Sequence, residues 1–207
     1  MARWEPDAAD RLQVAALELF AEKGFERVTI EEISRRAGLT KRSFFNHFTD
    51  KREALFGSGP ELQKQIVMRE ITAQDEGLPP LKVVVRALQA VADEMFQDRR
   101  DAVARRARII LATPELQERE LQKRETLTGI VASALQQRGL DAATALITAR
   151  AGMLVQQTAM QEWIHDSGTT PLRQVLADTL QSLHAVVANT KRPMTQWRRH
   201  AAGPSGS

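Results

Sequence analysis

Residues 29–55 read TIEEISRRAGLTKRSFFNHFTDKREAL, and the spacing of cap residues, glycine and aromatics in this stretch decides the fold. Thr29 followed by Glu32 is a capping box, in which the threonine oxygen accepts an orphan backbone N–H and the glutamate reaches back to the cap. The spacing predicts a helix from Ile30, with Ile30, Ile33 and Ala37 on one face and Glu31, Glu32, Ser34, Arg35 and Arg36 directed elsewhere. Gly38 ends that helix in a left-handed conformation, and Leu39 is the apolar plug of the turn. Thr40 then caps a second helix. In it Lys41, Arg42, Ser43, Asn46 and His47 are polar, while Phe44, Phe45 and Phe48 carry the apolar bulk. Thr49 and Asp50 offer one more cap before Lys51, whose helix takes Leu55 and Phe56 inward. Two short helices joined by a glycine turn, the second one cationic, form the layout of a helix-turn-helix.

A helix that reads the major groove needs one face to dock on its own protein and one face of donors small enough to meet base edges. Phe44 and Phe48, four apart, suit the inner face; Arg42, Ser43 and Asn46 suit the outer. Arginine forks onto guanine O6 and N7 and asparagine onto adenine N6 and N7, so Arg42 and Asn46 carry the best base-reading chemistry. Thr29, Thr40, Lys41, His47 and Lys51 suit phosphates, which give affinity and register without sequence information. His47 fits a packing position equally well, and Arg35 with Arg36 reads as a solvated helix face.

Charge is distributed to match. Over residues 35–52 there are six cations (Arg35, Arg36, Lys41, Arg42, Lys51, Arg52) against Asp50 alone, whereas residues 1–34 hold four cations against eight carboxylates. Positive charge is thus concentrated on the presumed reading segment, as phosphate neutralisation requires, and an acidic first helix would face away. The whole chain, at 207 residues with a net charge of +3, announces no nucleic acid by bulk electrostatics. Its 43% hydrophobic content is ordinary for a globular protein.

The run from Gly38 through Thr40, Lys41, Arg42, Ser43, Phe44, Phe45, Asn46, His47, Phe48, Thr49, Asp50 and Lys51 to Leu55 resembles the recognition-helix signature of the TetR family of transcriptional regulators. Ala15, Ala16, Leu19, Phe20, Gly24, Phe25, Thr29, Ile33 and Ala37 are similar to the first two helices of that family, so the resemblance covers residues 8–56. It implies a prokaryotic regulator that binds a double-stranded DNA operator as a homodimer and answers a small-molecule effector held in its C-terminal region. Two positions depart from the family pattern. Phe45 stands where tyrosine is usual, exchanging a phenolic hydroxyl for apolar contact with a sugar or a thymine methyl. Arg42 stands where glycine or another small residue is frequent, which suggests a base contact particular to this protein.

The rest of the chain reads as all-α, with helix-length apolar patterns separated by turn residues. Three segments are expected: a DNA-binding domain over 1–56, a helical regulatory and dimerisation domain over 57–190, and a basic, disordered tail over 191–207. A first helix runs from about Asp7 to Lys23 with Leu12, Ala15, Ala16, Leu19 and Phe20 as its stripe. Gly57, Ser58, Gly59 and Pro60 interrupt the helix starting near Lys51, either kinking or ending it before a resumption over Glu61–Ala73. Further helices are expected from Leu81 to Gln97, around Val103 to Leu111, from Pro114 to Gly139, from Asp141 to Ile164 and from Pro171 past Val187. The family resemblance implies that the last two pair across a two-fold axis as a dimer interface; the alternative is that Leu172, Leu176, Leu183 and Val187 pack within one body.

Val84, Leu88, Met95, Leu127, Met153, Gln157, Met160 and Trp163 are the candidate effector-binding residues. The three methionines are adaptable, Trp163 offers a flat wall and Gln157 a polar handle; ordinary helix packing accounts for the same spacing. Arg105, Arg106 and Arg108 suit an anionic group or an exposed cationic face. No cofactor is expected. His47, His165, His184 and His200 are scattered, cysteine is absent, and neither a phosphate-cradling glycine loop nor an HExxH pair occurs, so neither a metal site nor enzymatic activity is expected. A cytoplasmic location is expected from the lack of a secretory or membrane-spanning apolar run. Two other readings remain open at this level: a protein-interaction module whose helix-turn-helix is structural only, and an activator on the same fold.

Overall fold

The computed structural model describes residues 8–57, 59–75, 77–97, 99–166 and 169–188; the expected basic tail over 191–207 lies outside them. Ten α-helices follow one another among these residues. The head comprises α1 (Ala8–Lys23), α2 (Ile30–Arg36), α3 (Lys41–His47) and α4 (Lys51–Phe56). The body comprises α5 (Gly59–Ala73), α6 (Pro80–Val91), α7 (Arg100–Leu111), α8 (Pro114–Gln137), α9 (Ala142–His165) and α10 (Leu172–Ala188).

Local chemistry explains where the head helices start. Thr29 and Glu32 complete the capping box: the Thr29 N–H donates to Glu32 Oε2 at 2.9 Å and the Glu32 N–H donates to Thr29 Oγ1 at 3.2 Å. Thr40 Oγ1 accepts the Ser43 N–H at 3.1 Å, and Asp50 Oδ1 accepts the N–H groups of Arg52 and Glu53 at 2.8 and 3.0 Å. Each such cap is worth about 1 kcal/mol, which matters for helices of six or seven residues that cannot sustain themselves by propagation. The α1 stripe of Leu12, Ala15, Ala16, Leu19 and Phe20 is buried against Phe25, Val28, Ile33, Phe44, Phe48, Leu55 and Phe56.

The interruption after α4 is a true end and not a kink. Gly57 takes φ +55 with ψ −149, a conformation open to glycine alone, and α5 starts two residues later at Gly59, ahead of the expected Glu61, with Pro60 in its first turn. The helix expected to run unbroken to Gln97 also changes character: after Val91 it widens into a π-helical turn over Ala92–Phe96.

Two apolar clusters form, and their division does not follow the chain break at 56. The body cluster joins α5, α6, α8, α9 and α10 around residues such as Ile71, Val84, Leu88, Val131, Leu135, Ala149 and Leu176. The head cluster takes in three residues from the body helices, Ile109 and Ile110 of α7 and Leu116 of α8. The corner between α7 and α8 is therefore set into the core of the head. No helix among the described residues is long and apolar enough to cross a membrane.

Candidate nucleic-acid interface

α3 has two unlike sides. Phe44 is completely buried and Phe48 nearly so, their rings 5.6 Å apart and tilted at 56°. On the other side Arg42, Phe45 and Asn46 are exposed, spaced i, i+3, i+4 so that they share a helical face, with Lys41 and His47 exposed at its flanks. Phe45 is 50% exposed and meets Phe44 edge to face at 5.6 Å. A half-exposed aromatic ring beside an arginine and an asparagine places apolar and forked polar chemistry on one short surface.

The remaining sequence candidates divide by what already holds them. Thr29 and Thr40 are exposed cap residues at the starts of α2 and α3. Ser43 is half-buried and committed to its cap, its hydroxyl 3.0 Å from Thr40 Oγ1. Lys41 pairs with Glu31 across the turn; both are more than half exposed, so solvent screens the pair and leaves Lys41 able to exchange partners. That carboxylate is held below its ordinary value by the Lys41 hydrogen bond.

Lys51 differs most from the sequence expectation. Its ammonium points into the loop after α1, donating to the carbonyl of Phe25 at 2.9 Å and, at 3.5 Å each, to those of Glu26 and Val28. It also lies 4.2 Å from the centroid of the Phe25 ring. Half-buried and with every donor engaged, it is a structural brace and offers phosphate little.

The positive charge counted along 35–52 is largely internal in the same way. Arg36 is bound bidentately by Glu22 at 2.9 Å and also by Glu18 at 3.2 Å, which fastens acidic α1 to α2 and holds the Glu22 carboxyl low. Arg52 is tied to Asp50 at 2.7 Å. Of the six, Arg35, Arg42 and Lys51 have no ion-pair partner among the described residues, and Lys51 is spent on backbone carbonyls. Arg42 thus combines an exposed position on the outer side of α3 with an unengaged guanidinium.

In the body, seven of the eight effector candidates belong to or pack on one continuous core. Val84, Leu88, Leu127, Met153 and Trp163 are buried in the cluster, and Met95 and Met160 are half-buried against it. Gln157 does not join them: it is exposed on α9, and the polar handle assigned to it points to solvent. Trp163 has a structural task, since its Nε1–H donates to the Thr170 carbonyl at 3.1 Å while Arg100 lies over its ring at 4.9 Å, closing the α9–α10 turn. Arg106 pairs with Glu120 at 3.1 Å, whereas Arg105 and Arg108 line a surface groove of about 240 Å³ beside Phe20 and Phe25. Among the described residues no group of His, Cys, Asp or Glu is arranged to hold a metal ion.

The sequence reading missed a seam between head and body. Glu53 of α4 accepts from Arg119 Nε at 2.7 Å and from Lys123 Nζ at 3.4 Å, both on α8. Phe56 lies beneath the cations of Lys123 and Arg106, 4.7 and 4.8 Å from its centroid. These partners are 66 and 70 residues from Glu53, and no local pattern marks them. Arg138 likewise gathers the carbonyls ending α5, donating to Ile71 and Gln74 at 2.9 and 2.7 Å and to Asp75 at 2.9 Å.

Two family models match the chain, one after the other. Residues 12–57 match the family described as bacterial regulatory proteins, tetR family, and residues 78–188 match the MftR C-terminal domain. The chain is 33% identical over 97 residues to YerO of Bacillus subtilis, described as an uncharacterized HTH-type transcriptional regulator, covering 45% of this chain and 33% of that protein. It is 27% identical over 138 residues to the HTH-type transcriptional regulator TcmR of Streptomyces glaucescens, covering 64% and 61%. The chain thus spans one third to about three fifths of the length of these curated relatives. Native NalD of Pseudomonas aeruginosa shares the fold with a TM-score of 0.56 at 20% identity, over 86% of this chain and 96% of that one. Two family models matched in chain order, one on the capped helix-turn-helix and one over more than half of the chain on the helical body, make it a member of the TetR family of bacterial regulatory proteins.

Proposed function

We propose that the protein is a DNA-binding transcriptional regulator that grips a palindromic operator as a homodimer through α3. The observation that carries this reading is the two-sided recognition helix, with Phe44 and Phe48 locked into the head and Arg42, Phe45 and Asn46 presented together outside. Arg42 and Asn46 read guanine and adenine edges, Phe45 packs on a sugar or thymine methyl, and Thr29, Thr40, Lys41 and His47 set the register on phosphates. Lys51 acts indirectly by holding the loop on which α2 begins.

One seven-residue helix meets too few base pairs to be selective, so a two-fold pair is needed, with half-sites ~34 to 36 Å apart or a multiple of that. The exposed apolar residues Leu146, Ile147 and Leu154 on α9 with Val186 and Val187 on α10 are the face we assign to the homodimer, since apolar surface of this kind on neighbouring helices favours burial. Leu172, Val175 and Leu176 at the start of α10 pack within one body, so only the later turns of that helix serve the pair.

The protein acts as a repressor by occupying the operator, and a small-molecule effector bound in the body releases it. An effector does so only as far as it prefers the non-binding conformer; a hundredfold loss of operator affinity needs a preference of about 2.7 kcal/mol. The reading is tested by gel shift with the DNA upstream of the protein's own gene and its neighbours. A sequence-selective shift that survives competitor DNA is the expected result; no selective shift on any of these fragments contradicts it.

A further inference from the structure

Two routes join the recognition helix to the body. The first is the chain itself, from α4 into α5, and it is interrupted: α4 ends at Phe56, Gly57 takes its positive φ, and α5 starts at Gly59. Among the described residues the ladder of α4 closes at Gly57, whose N–H donates to the Glu53 carbonyl at 2.8 Å, so rotation or axial shift of α5 is not passed stiffly to α4. The second is the α7–α8 corner. Ile109, Ile110 and Leu116 lie in the core of the head, while Leu127, Val131 and Leu135, farther along α8, lie in the core of the body. A helix of 24 residues is a rod roughly 36 Å long, and this rod is anchored in both cores.

The seam where α8 leaves the head is charged and partly desolvated. Arg119 and Lys123, one turn apart on α8, both reach Glu53, and the side chains of Lys123 and Glu53 retain only 18% and 24% of their exposure. Burial pulls the Lys123 ammonium below its ordinary value in spite of the attraction of Glu53. Three cations (Arg106, Arg119, Lys123) meet two carboxylates, Glu53 and Glu120, so removing the Glu53 charge leaves three cations around one carboxylate and drives the seam apart. Glu53 is also bound to the start of its own helix: its N–H donates to Asp50 Oδ1, the cap two residues beyond Phe48. A cleft of about 260 Å³ lined by Thr49, Asp50, Arg52, Glu53, Arg119 and Gln122 opens at the same seam, which leaves the head room to turn.

We propose that α8, and not the α4–α5 connection, carries the state of the body to the recognition helix, and that Glu53 is the positioning residue that latches α4 to Arg119 and Lys123. The inference rests on the DNA-binding reading above and names how that site is regulated. Glu53 touches no base or phosphate in this scheme; it sets the angle at which α3 is offered.

The test is a double-mutant cycle read as DNA affinity. The wild-type protein enriches a duplex from a random library, and fluorescence anisotropy then gives the affinity of that duplex and of a scrambled one for wild type, Glu53→Gln, Leu127→Val and the double variant. Glu53→Gln is expected to lower the operator-to-scrambled affinity ratio about tenfold, equivalent to ~1.4 kcal/mol, in protein that remains folded by circular dichroism. Leu127→Val, a change inside the body, is expected to shift operator affinity at least about threefold in the wild-type background and to have almost no effect once Glu53 is Gln. Where Glu53→Gln does not fold, the double change Arg119→Gln with Lys123→Gln, which strips Glu53 of both latch partners, replaces it with the same expectations. Equal effects of Leu127→Val in both backgrounds, no effect in either, or an unchanged affinity ratio for the folded latch variant would overturn the proposal. Failure of the wild-type protein to enrich any duplex would instead remove the DNA-binding reading itself.

Discussion

Lys51 and Phe25, 26 residues apart in the chain, are joined twice: the Lys51 ammonium donates to the Phe25 carbonyl at 2.9 Å and sits 4.2 Å from the centroid of the Phe25 ring. A lysine expected to face phosphate is instead the peg that fixes the α1–α2 loop against the start of α4. Lys51→Met should therefore destabilise the head by ~1 to 3 kcal/mol, because it leaves the carbonyls of Phe25, Glu26 and Val28 without their donor and removes a cation–π contact. Chemical denaturation measures this. In the fraction that stays folded, the slope of log affinity against log salt should equal that of the wild type; a slope smaller by about 1 would mean that Lys51 neutralises a phosphate after all.

Arg42→Ala and Asn46→Ala should behave in the opposite manner. Both side chains are exposed on α3, so thermal unfolding should be nearly unchanged, while operator affinity should fall by ~1 to 3 kcal/mol for each bidentate contact and discrimination should relax at one base pair per half-site. Lys41→Ala should weaken specific and scrambled duplexes alike. Competition binding with single-base operator variants separates the two patterns.

The capping box gives a pH dependence of definite sign. Hydrogen bonds from Lys23 first, then from the Thr29 N–H and hydroxyl, hold the Glu32 carboxyl down to about 2 from an ordinary value of 4.5. A carboxyl depressed in the folded state contributes stability that is fully present above the ordinary value and is lost as pH falls from there through about 2. Glu32→Gln keeps the amide end of the box but not the charge, so urea midpoints of wild type and variant should differ near neutrality and converge on acidification between those values. Parallel curves would contradict the assignment.

Leu154→Glu places a charge on an α9 position that is 54% exposed in one protomer. If α9 and the later turns of α10 form the homodimer face, the variant should retain its helix content, sediment as a monomer and lose operator affinity by more than any single base-contact variant. Leu62→Glu on α5, exposed to a similar degree, should change none of these and serves as the control.

What was legible in the sequence was chiefly what neighbouring residues determine. Thr29 with Glu32, Gly38, Thr40 and Asp50 set helix ends through contacts no more than a few residues apart, and these stand as read. The α1 stripe and the burial of Phe44 and Phe48 followed from helical period alone. The partners of the cations did not. Whether Arg36 meets phosphate or Glu22, and whether Lys51 faces DNA or the carbonyl of Phe25, depends on how α1 packs across α2 and α4. Arg119 and Lys123 look like ordinary surface residues of a long helix until the α7–α8 corner is set into the head and brings Glu53 to them. Gln157 fails for a related reason: an amide midway along an apolar helix reads as a lining residue, yet α9 also carries the exposed Ile147 and Leu154, so its outer side is less polar than helical period suggests.

The central claim, that two copies of α3 read one duplex at groove-matched separation, is tested most directly by sequencing the duplexes the wild-type protein enriches from a random library. The account predicts an inverted repeat whose half-site centres lie ~10 to 10.5 base pairs apart or a multiple of that, each with a guanine and an adenine among its strongest positions. An enriched motif without two-fold symmetry, or no enriched motif at all, would contradict it.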